Sequence, residues 1–325
     1  MERIRDLVSV IIPVYNRREL LAEAVASALG QNWPLEIIII DDGSDEETAR
    51  FIDELAAERP EIRVVHQQNR GPGSARESGR RIARGEFVQY LDSDDILLPG
   101  KLEKQIGGLR RNEAAGVSYG WTRFRHRDGR LGPGPWKESG IVREAMFPSF
   151  LRSRWWDTPN PLYRAEVCDR AGAWTDLRVE EDWEYDCRIA ALGTRLDHVA
   201  GWLVEVRDQR DPAIEENASA DAHRLAHRAR AHEMILGHAL ASGIELESEE
   251  MRHFARELFL LGRQCGAAGL SGASRRLVHL ARSASAQRAN DIRIYSAVAR
   301  IAGWRNVGRV SAAYDRIRDW WRRSA

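Results

Sequence analysis

Residues 8–44 read VSVIIPVYNRRELLAEAVASALGQNWPLEIIIIDDGS. Two β-branched apolar runs, Val8–Tyr15 and Ile37–Ile40, flank a stretch where Leu20, Leu21, Ala24, Val25 and Ala28 recur at helical spacing. Short, continuous apolar runs suit strands buried on both faces, so the segment predicts a strand, a crossover helix and a parallel strand. The alternation continues with a helix over 46–58, a strand over 62–66, a helix over 73–84 and a strand over 86–91. Repeated units of this kind predict an α/β fold with a Rossmann-like, mostly parallel sheet covered by helices. Ligands of such sheets lie beyond the carboxyl ends of the strands. The chemistry is therefore expected in the segments that follow each strand.

Those segments share a character. Pro13-Val14-Tyr15-Asn16 ends the first strand, Asp41-Asp42-Gly43-Ser44 the second, and Asp92-Ser93-Asp94-Asp95 the strand over 86–91. A later helix, expected over 181–192, opens on Glu180-Glu181-Asp182-Trp183. Each cluster alone reads as a turn or a helix start, because Asp and Gly are common there. Their recurrence on one sheet edge points to a site. Asp92 and Asp94, two residues apart on a turn, can hold a hard divalent cation that bridges two phosphates. Such a cation helps a diphosphate to leave.

Taken together, PVYN (13–16), DDGS (41–44), NRGPGSARESG (69–79), DSDD (92–95) and EEDWEY (180–185) resemble the family 2 glycosyltransferases. The resemblance covers about residues 7–210. It implies the GT-A nucleotide-diphospho-sugar transferase fold over 1–210; beyond a polar linker the pattern is helical from 222 onward, which makes 211–325 a C-terminal helical extension. It also implies inverting transfer of a sugar from a nucleotide diphosphate donor to an acceptor hydroxyl. Pro13, Tyr15 and Asn16 would lie near the donor base and ribose, and one of Asp41 and Asp42, preferably the first, would accept a hydrogen bond from the base. Asn69, Gly71 and Arg76 would border the nucleotide, Arg76 neutralising phosphate, while Gly71 and Gly73 allow close backbone approach. Asp92 would sit near the ribose, Asp94 would bind Mn²⁺ or Mg²⁺, and Asp182 would be the general base with Glu181 beside it.

A carboxylate base also makes chemical sense, since an attacking alcohol must lose its proton. Crowding among Glu180, Glu181, Asp182, Glu184 and Asp186 would raise some of their pKa values. Many members of the family carry an Arg-x-His near the end of the catalytic domain. Here Val206-Arg207-Asp208-Gln209-Arg210 has no such His, which leaves Arg207 or Arg210 to touch phosphate. Trp155, Trp156, Trp174 and Trp183 are either sugar-stacking surfaces or core, with Trp183 the acceptor candidate. His223 and His227, four apart on a helix, lack a third ligand at a sensible spacing and read as a solvated face.

Composition narrows the remaining classes. The chain carries 49 basic and 49 acidic residues, and the balance argues against a general nucleic-acid binder. That zero is a cancellation: residues 1–210 sum to −5 (31 basic, 36 acidic) and residues 211–325 to +5 (18 basic, 13 acidic). Three scattered cysteines exclude a disulfide framework and fit a reducing compartment. No apolar run approaches membrane-spanning length, and the start MERIRDL has no signal core, so a cytoplasmic protein is expected. Peripheral contact at the inner face of the membrane stays open. Val307, Val310, Tyr314, Ile317 and Trp321 form one helical stripe among eight Arg in residues 292–325. The stripe either packs on the body or faces an anionic membrane, in which case the saccharide acceptor would be lipid-linked.

A dehydrogenase would need a G-x-G-x-x-G after the first strand, where this chain reads PVYNRREL. A nucleotidyltransferase on a similar sheet would want a Gly-rich phosphate loop there, and a nucleotide-sugar-binding protein without transfer activity would not need both Asp94 and Asp182. UDP is the default donor nucleotide; GDP or dTDP would satisfy the same motifs.

Overall fold

The structure is a computed structural model that describes residues 3–208, 221–285 and 290–324, with side chains in the last helix described to Tyr314. The chain forms two compact units, one of residues 1–146 and 154–209, the other of 147–153 and 210–325. The first unit is the α/β domain that the alternating pattern predicts.

Its eight strands are β1 (Ile4–Val14), β2 (Leu35–Asp41), β3 (Ile62–His66), β4 (Gly85–Tyr90), β5 (Ile96–Leu97), β6 (Ala115–Arg125), β7 (Leu162–Arg164) and β8 (Arg195–Arg207). They form one sheet in the order β3-β2-β1-β4-β7-β6-β8-β5. The β1–β2, β1–β4, β2–β3 and β6–β8 pairs are parallel, whereas β7 is antiparallel to both its neighbours and β5 to β8. Register aligns Val14 with Asp41 and Asp41 with His66, so β1, β2 and β3 end level on one edge. Helices α1 (Arg18–Leu29), α2 (Glu46–Glu58), α3 (Pro72–Ile82), α4 (Lys101–Arg111), α5 (Ala165–Ala171) and α6 (Glu181–Ala191) complete the domain.

Pattern and packing agree best near the amino terminus. Val8, Val10, Ile12, Ile37 and Ile39 are fully buried, and Leu21, Ala24 and Val25 of α1 pack into the same core. The long strands β6 and β8 lie where the sequence reads as irregular. Polar residues interrupt both, because the sheet buries Ser118, Thr122 and Glu205 beside their partners. The Ser118 hydroxyl, for instance, donates to Asp197 Oδ2 at 3.0 Å.

The second unit is helical: a short 3₁₀ turn (Ser149–Leu151), then α7 (Ala222–Ala241), α8 (Glu249–Ala267), α9 (Ser271–Ala284), α10 (Asn290–Ala302) and α11 (Trp304–Ser324). Segment 147–153 belongs with these helices although it sits far from them in sequence. His223 and His227 of α7 lie side by side, their ring centroids 4.6 Å apart and their planes tilted by 52°. Among the described residues no helix is long and apolar enough to cross a membrane.

Candidate functional site

The carboxyl edge of the sheet opens into a cleft of about 680 Å³ lined by Pro13, Tyr15 and Arg17 after β1, Asp42 after β2, and Asn69 and Gly71 before α3. Arg76, Asp92, Asp94, Arg178, Glu181 and Asp182 complete its wall. A second cavity of about 370 Å³ shares Asp92, Asp94 and Asp182 with the first and adds Lys137, Arg154, Asp157, Thr158, Trp183 and Arg207. Asp182 therefore stands where two cavities of the α/β domain meet.

The loops of the larger cleft are held by carboxylates rather than left for a ligand. Asp42 accepts from the Arg70 and Gly71 amides at 2.9 and 2.8 Å and from Gln67 Nε2 at 2.7 Å. Gly71 lies at φ +89°, a region that favours glycine, and this bend lets its amide face Asp42. Asp41 does not line the cleft. It is 3% exposed, accepts from the Ser44 amide at 2.9 Å, and lies 2.8 Å from His66 Nδ1. The hydrogen bond to Asp41, against a smaller cost of burial, raises the His66 pKa. Asn16 is also outside the lining, its amide donating to Ser44 Oγ at 3.0 Å and its Oδ1 accepting from the Asp45 amide at 2.8 Å. Tyr15 remains half exposed on the cleft wall. The space left by Gly73 is filled by the protein itself, since a Cβ there would come within 2.3 Å of the Thr175 carbonyl oxygen.

Arg76 differs most from its expected role. It is 3% exposed, donating to Asp92 Oδ1 at 2.6 Å and to Glu181 Oε1 at 2.7 Å, with Trp174 beneath the guanidinium at 5.0 Å. Burial opposes its charge, yet the two carboxylates more than offset that and raise its pKa. Its charge is thus committed inside the protein, and it ties the start of α6 to the turn after β4. Arg76 lies on the cleft wall, but the sequence cannot show these partners, the farther of them 105 residues away.

The two acids at the start of α6 have opposite environments. Burial and the neighbouring Asp182 charge push Glu181 up to about 7, against the pull of Arg76. Burial also pushes Asp182 up, but Arg154, Arg76 and Lys137 outweigh it and hold its carboxyl below the ordinary value. Arg154 donates to Asp182 Oδ2 at 2.7 Å and to Asp186 Oδ2 at 2.7 Å. Asp182 keeps 27% of its side chain exposed, against 8% for Glu181. Because folded Glu181 binds its proton more tightly than the unfolded chain does, it makes stability fall as pH rises from the ordinary 4.5 towards 7. Urea melts across that window are expected to show a shallower decline in the Glu181→Gln variant; an unchanged slope would mean Glu181 titrates normally.

Asp94 tests the fit of a cation. Its carboxylate is paired with Arg17, a side chain that is itself 45% exposed. Burial and then the Asp92 charge push Asp94 up, with Arg17 pulling the other way. Such a carboxylate gains from added positive charge. No cluster of three or more His, Cys, Asp or Glu that could hold a metal occurs among the described residues. Asp92 and Asp94 are the two carboxylates that a cation at this edge of the cleft would meet, and its other ligands would have to come from elsewhere.

Several site residues carry no sequence signal. Lys137, Arg154, Asp157 and Thr158 come from the Gly- and Trp-rich region, and folding brings them to Asp182. A buried polar network holds that segment: Gln89 Nε2 donates to the Pro159 carbonyl at 2.9 Å and Gln105 Nε2 to that of Asn160 at 3.1 Å. Lys101 joins the two glutamines through their Oε1 atoms, and its burial drives its pKa well below the ordinary value. Arg207 lies at Asp94, donating to its carbonyl oxygen; Arg210 falls outside the described residues. Trp155, Trp156 and Trp174 are core, while Trp183 lines the second cavity.

The match of residues 9–165 to the glycosyl transferase family 2 model runs from within β1 through β7 and includes the Asp turns at 41–42 and 92–95. Among curated relatives, Chondroitin synthase of Escherichia coli is 38% identical over 126 residues, which are 38% of this chain and 18% of that protein. Glycosyltransferase GlyG of Streptococcus pneumoniae is 32% identical over 128 residues, 39% of this chain and 42% of that protein. The matches thus span less than half the length of these relatives. The fold is shared with S. aureus TarS 1–349 in complex with UDP, at TM-score 0.64 and 19% identity, covering 94% of this chain and 91% of that one. It is also shared with the mannosyltransferase PcManGT of Pyrobaculum calidifontis in complex with GDP-Man and Mn²⁺, at TM-score 0.53 and 17% identity, covering 95% and 87%. With its acidic strand-end turns in one cleft and relatives of this kind, the chain carries a family 2 glycosyltransferase domain over residues 9–165.

Proposed function

We propose that this protein is an inverting glycosyltransferase that moves a sugar from a UDP-linked donor to a saccharide hydroxyl. The observation that carries the reading is the position of Asp182, which lines both the larger cleft and the smaller cavity. A donor in the first and an acceptor in the second would meet beside its carboxylate. The half-exposed Tyr15 offers a stacking face for the base, while Arg17 and Arg178 supply positive charge for the diphosphate. Asp94, with Asp92 beside it, would hold Mn²⁺ or Mg²⁺ together with the diphosphate oxygens. When bound, that ion neutralises charge on the departing diphosphate.

The acceptor oxygen attacks the anomeric carbon as the bond from that carbon to the diphosphate oxygen breaks. The hydroxyl proton passes to Asp182, and one displacement leaves the configuration inverted. Arg154, held by Asp186, keeps Asp182 ionised and oriented. In the acceptor cavity, Lys137 donates to Asp157 Oδ1 at 2.6 Å, and Asp157 Oδ2 is buried without a hydrogen-bond partner among the described residues. A sugar hydroxyl would satisfy that oxygen, and the half-buried Trp183 offers a face for the ring.

Melting temperatures with UDP, GDP and dTDP, each with and without Mn²⁺, test the donor half. UDP with Mn²⁺ at a hundred times its dissociation constant is expected to stabilise the domain by about 2.7 kcal/mol. Asp94→Ala should abolish the Mn²⁺-dependent part of that gain. No response to any nucleoside diphosphate would sink the reading.

A further inference from the structure

The helical unit carries a cationic pocket of about 280 Å³ that the proposed chemistry does not use. Arg275, Arg276, His279 and Arg282 of α9 line it, with Arg300 of α10 and Trp304 of α11, and no carboxylate takes part in its lining. The four arginines are exposed. Arg276 reaches Glu233 at 3.0 Å, whereas Arg275, Arg282 and Arg300 have no ion-pair partner among the described residues. Guanidinium forks gathered around a pocket suit phosphate oxygens.

Beside the pocket lies an apolar surface of unusual orientation. Helix α10 buries Ile292, Tyr295 and Ala299, yet Ile294, Val298 and Ile301 are 63%, 45% and 91% exposed. With Ala297 they span an arc of roughly 100° on the helix, and Arg293 and Arg300 flank it on one side. Helix α11 repeats the pattern. It approaches α8 through Gly308, where a Cβ would come within 2.6 Å of the Gly266 carbonyl carbon, and it leaves Val310 and Tyr314 exposed. Of the stripe expected at the C-terminal end, Val310 and Tyr314 are therefore turned away from the helix's packed side and Val307 is half-buried; Ile317 and Trp321 lie beyond the described side chains. Residues 290–314 hold Arg293, Arg300, Arg305 and Arg309 against one acid, Asp291, which pairs with Arg256.

We propose that α10 and the start of α11 dock on an anionic phospholipid surface, with the Arg275, Arg282 and Arg300 pocket receiving a headgroup phosphate. Isoleucine and valine enter the acyl boundary while arginine stems snorkel to the phosphate level. A second copy of the chain suits this face poorly, because a two-fold contact would set the same arginines against each other. The inference does not depend on the donor or acceptor reading.

Co-sedimentation of the full chain with vesicles tests it. The protein is expected to pellet with vesicles of phosphatidylcholine and phosphatidylglycerol in equal parts, to stay in solution with phosphatidylcholine alone, and to be released by salt. Arg282→Gln with Arg300→Gln, and separately Ile294→Asn with Ile301→Asn, are each expected to weaken binding about tenfold or more. Both pairs should keep the wild-type melting temperature. Wild-type protein that stays in solution, equal pelleting with both vesicles, or variants that bind like wild type would overturn the proposal. Full release by inorganic phosphate at the same ionic strength would assign the pocket to a soluble anion instead. Light scattering that shows a dimer dissolved by the isoleucine pair, with vesicle binding intact, would make this face a contact between copies.

Discussion

Replacing Asp182 by asparagine is expected to lower kcat by about 10²–10⁴-fold, the usual contribution of a positioned base. The amide keeps the shape of the carboxylate, and Arg154 keeps its bond to Asp186 at 2.7 Å, so the variant should fold. Donor binding, followed by calorimetry with UDP and Mn²⁺, is expected to stay near wild type, because the loss falls on a proton taken only during transfer. Glu181→Gln is the comparison. That carboxylate is nearly buried and bonded to Arg76, out of the smaller cavity, so its effect should appear in stability more than in turnover. Turnover of Asp182→Asn within about threefold of wild type would remove Asp182 as the base.

Arg76→Met is expected to cost about 3–5 kcal/mol in urea unfolding, the range for breaking one side of a buried charge pair. Glu181 would be left as an unpaired acid at 6% exposure, and Asp92 would lose its cation beside Asp94. Methionine fills much of the stem's volume against Trp174, so packing loss alone does not account for an effect of that size. Adding Glu181→Gln to Arg76→Met should recover part of the loss, because the buried carboxyl, already pushed up to about 7 beside Arg76, would otherwise have to take up a proton or carry an unpaired charge. A cost below about 1 kcal/mol would show that solvent already screens the cluster. Arg76→Lys should rescue incompletely, since an ammonium cannot repeat the two-armed geometry that joins Asp92 and Glu181.

Much of the site was legible before the fold. Tyr15, Asp42, Asp92 and Asp94 each follow a strand, and each lies on the cleft wall. Asp41 and Asp42 show the limit: adjacent letters with the same chemistry, one bonded to His66 outside the lining and the other clamping the loop inside it. Arg17 could have been found, because it directly follows PVYN at the end of β1. Lys137 and Asp157 could not, because nothing local distinguishes them from other polar residues of an irregular region.

What the sequence by itself determined was the alternating order of strands and helices and the edge on which the acidic turns collect. Both follow from short-range physics: apolar period sets each element, and parallel strands joined by crossovers present their carboxyl ends on one edge. The tertiary structure alone decided which charges were already committed. Arg76 is spent on Asp92 and Glu181, Arg154 holds the Asp182 carboxyl below its ordinary value, and Ile294 and Ile301 are left facing outwards. Those outcomes depend on partners tens of residues away and on how much water each group keeps. Charge interactions scale with distance and dielectric, and neither can be read from order along the chain.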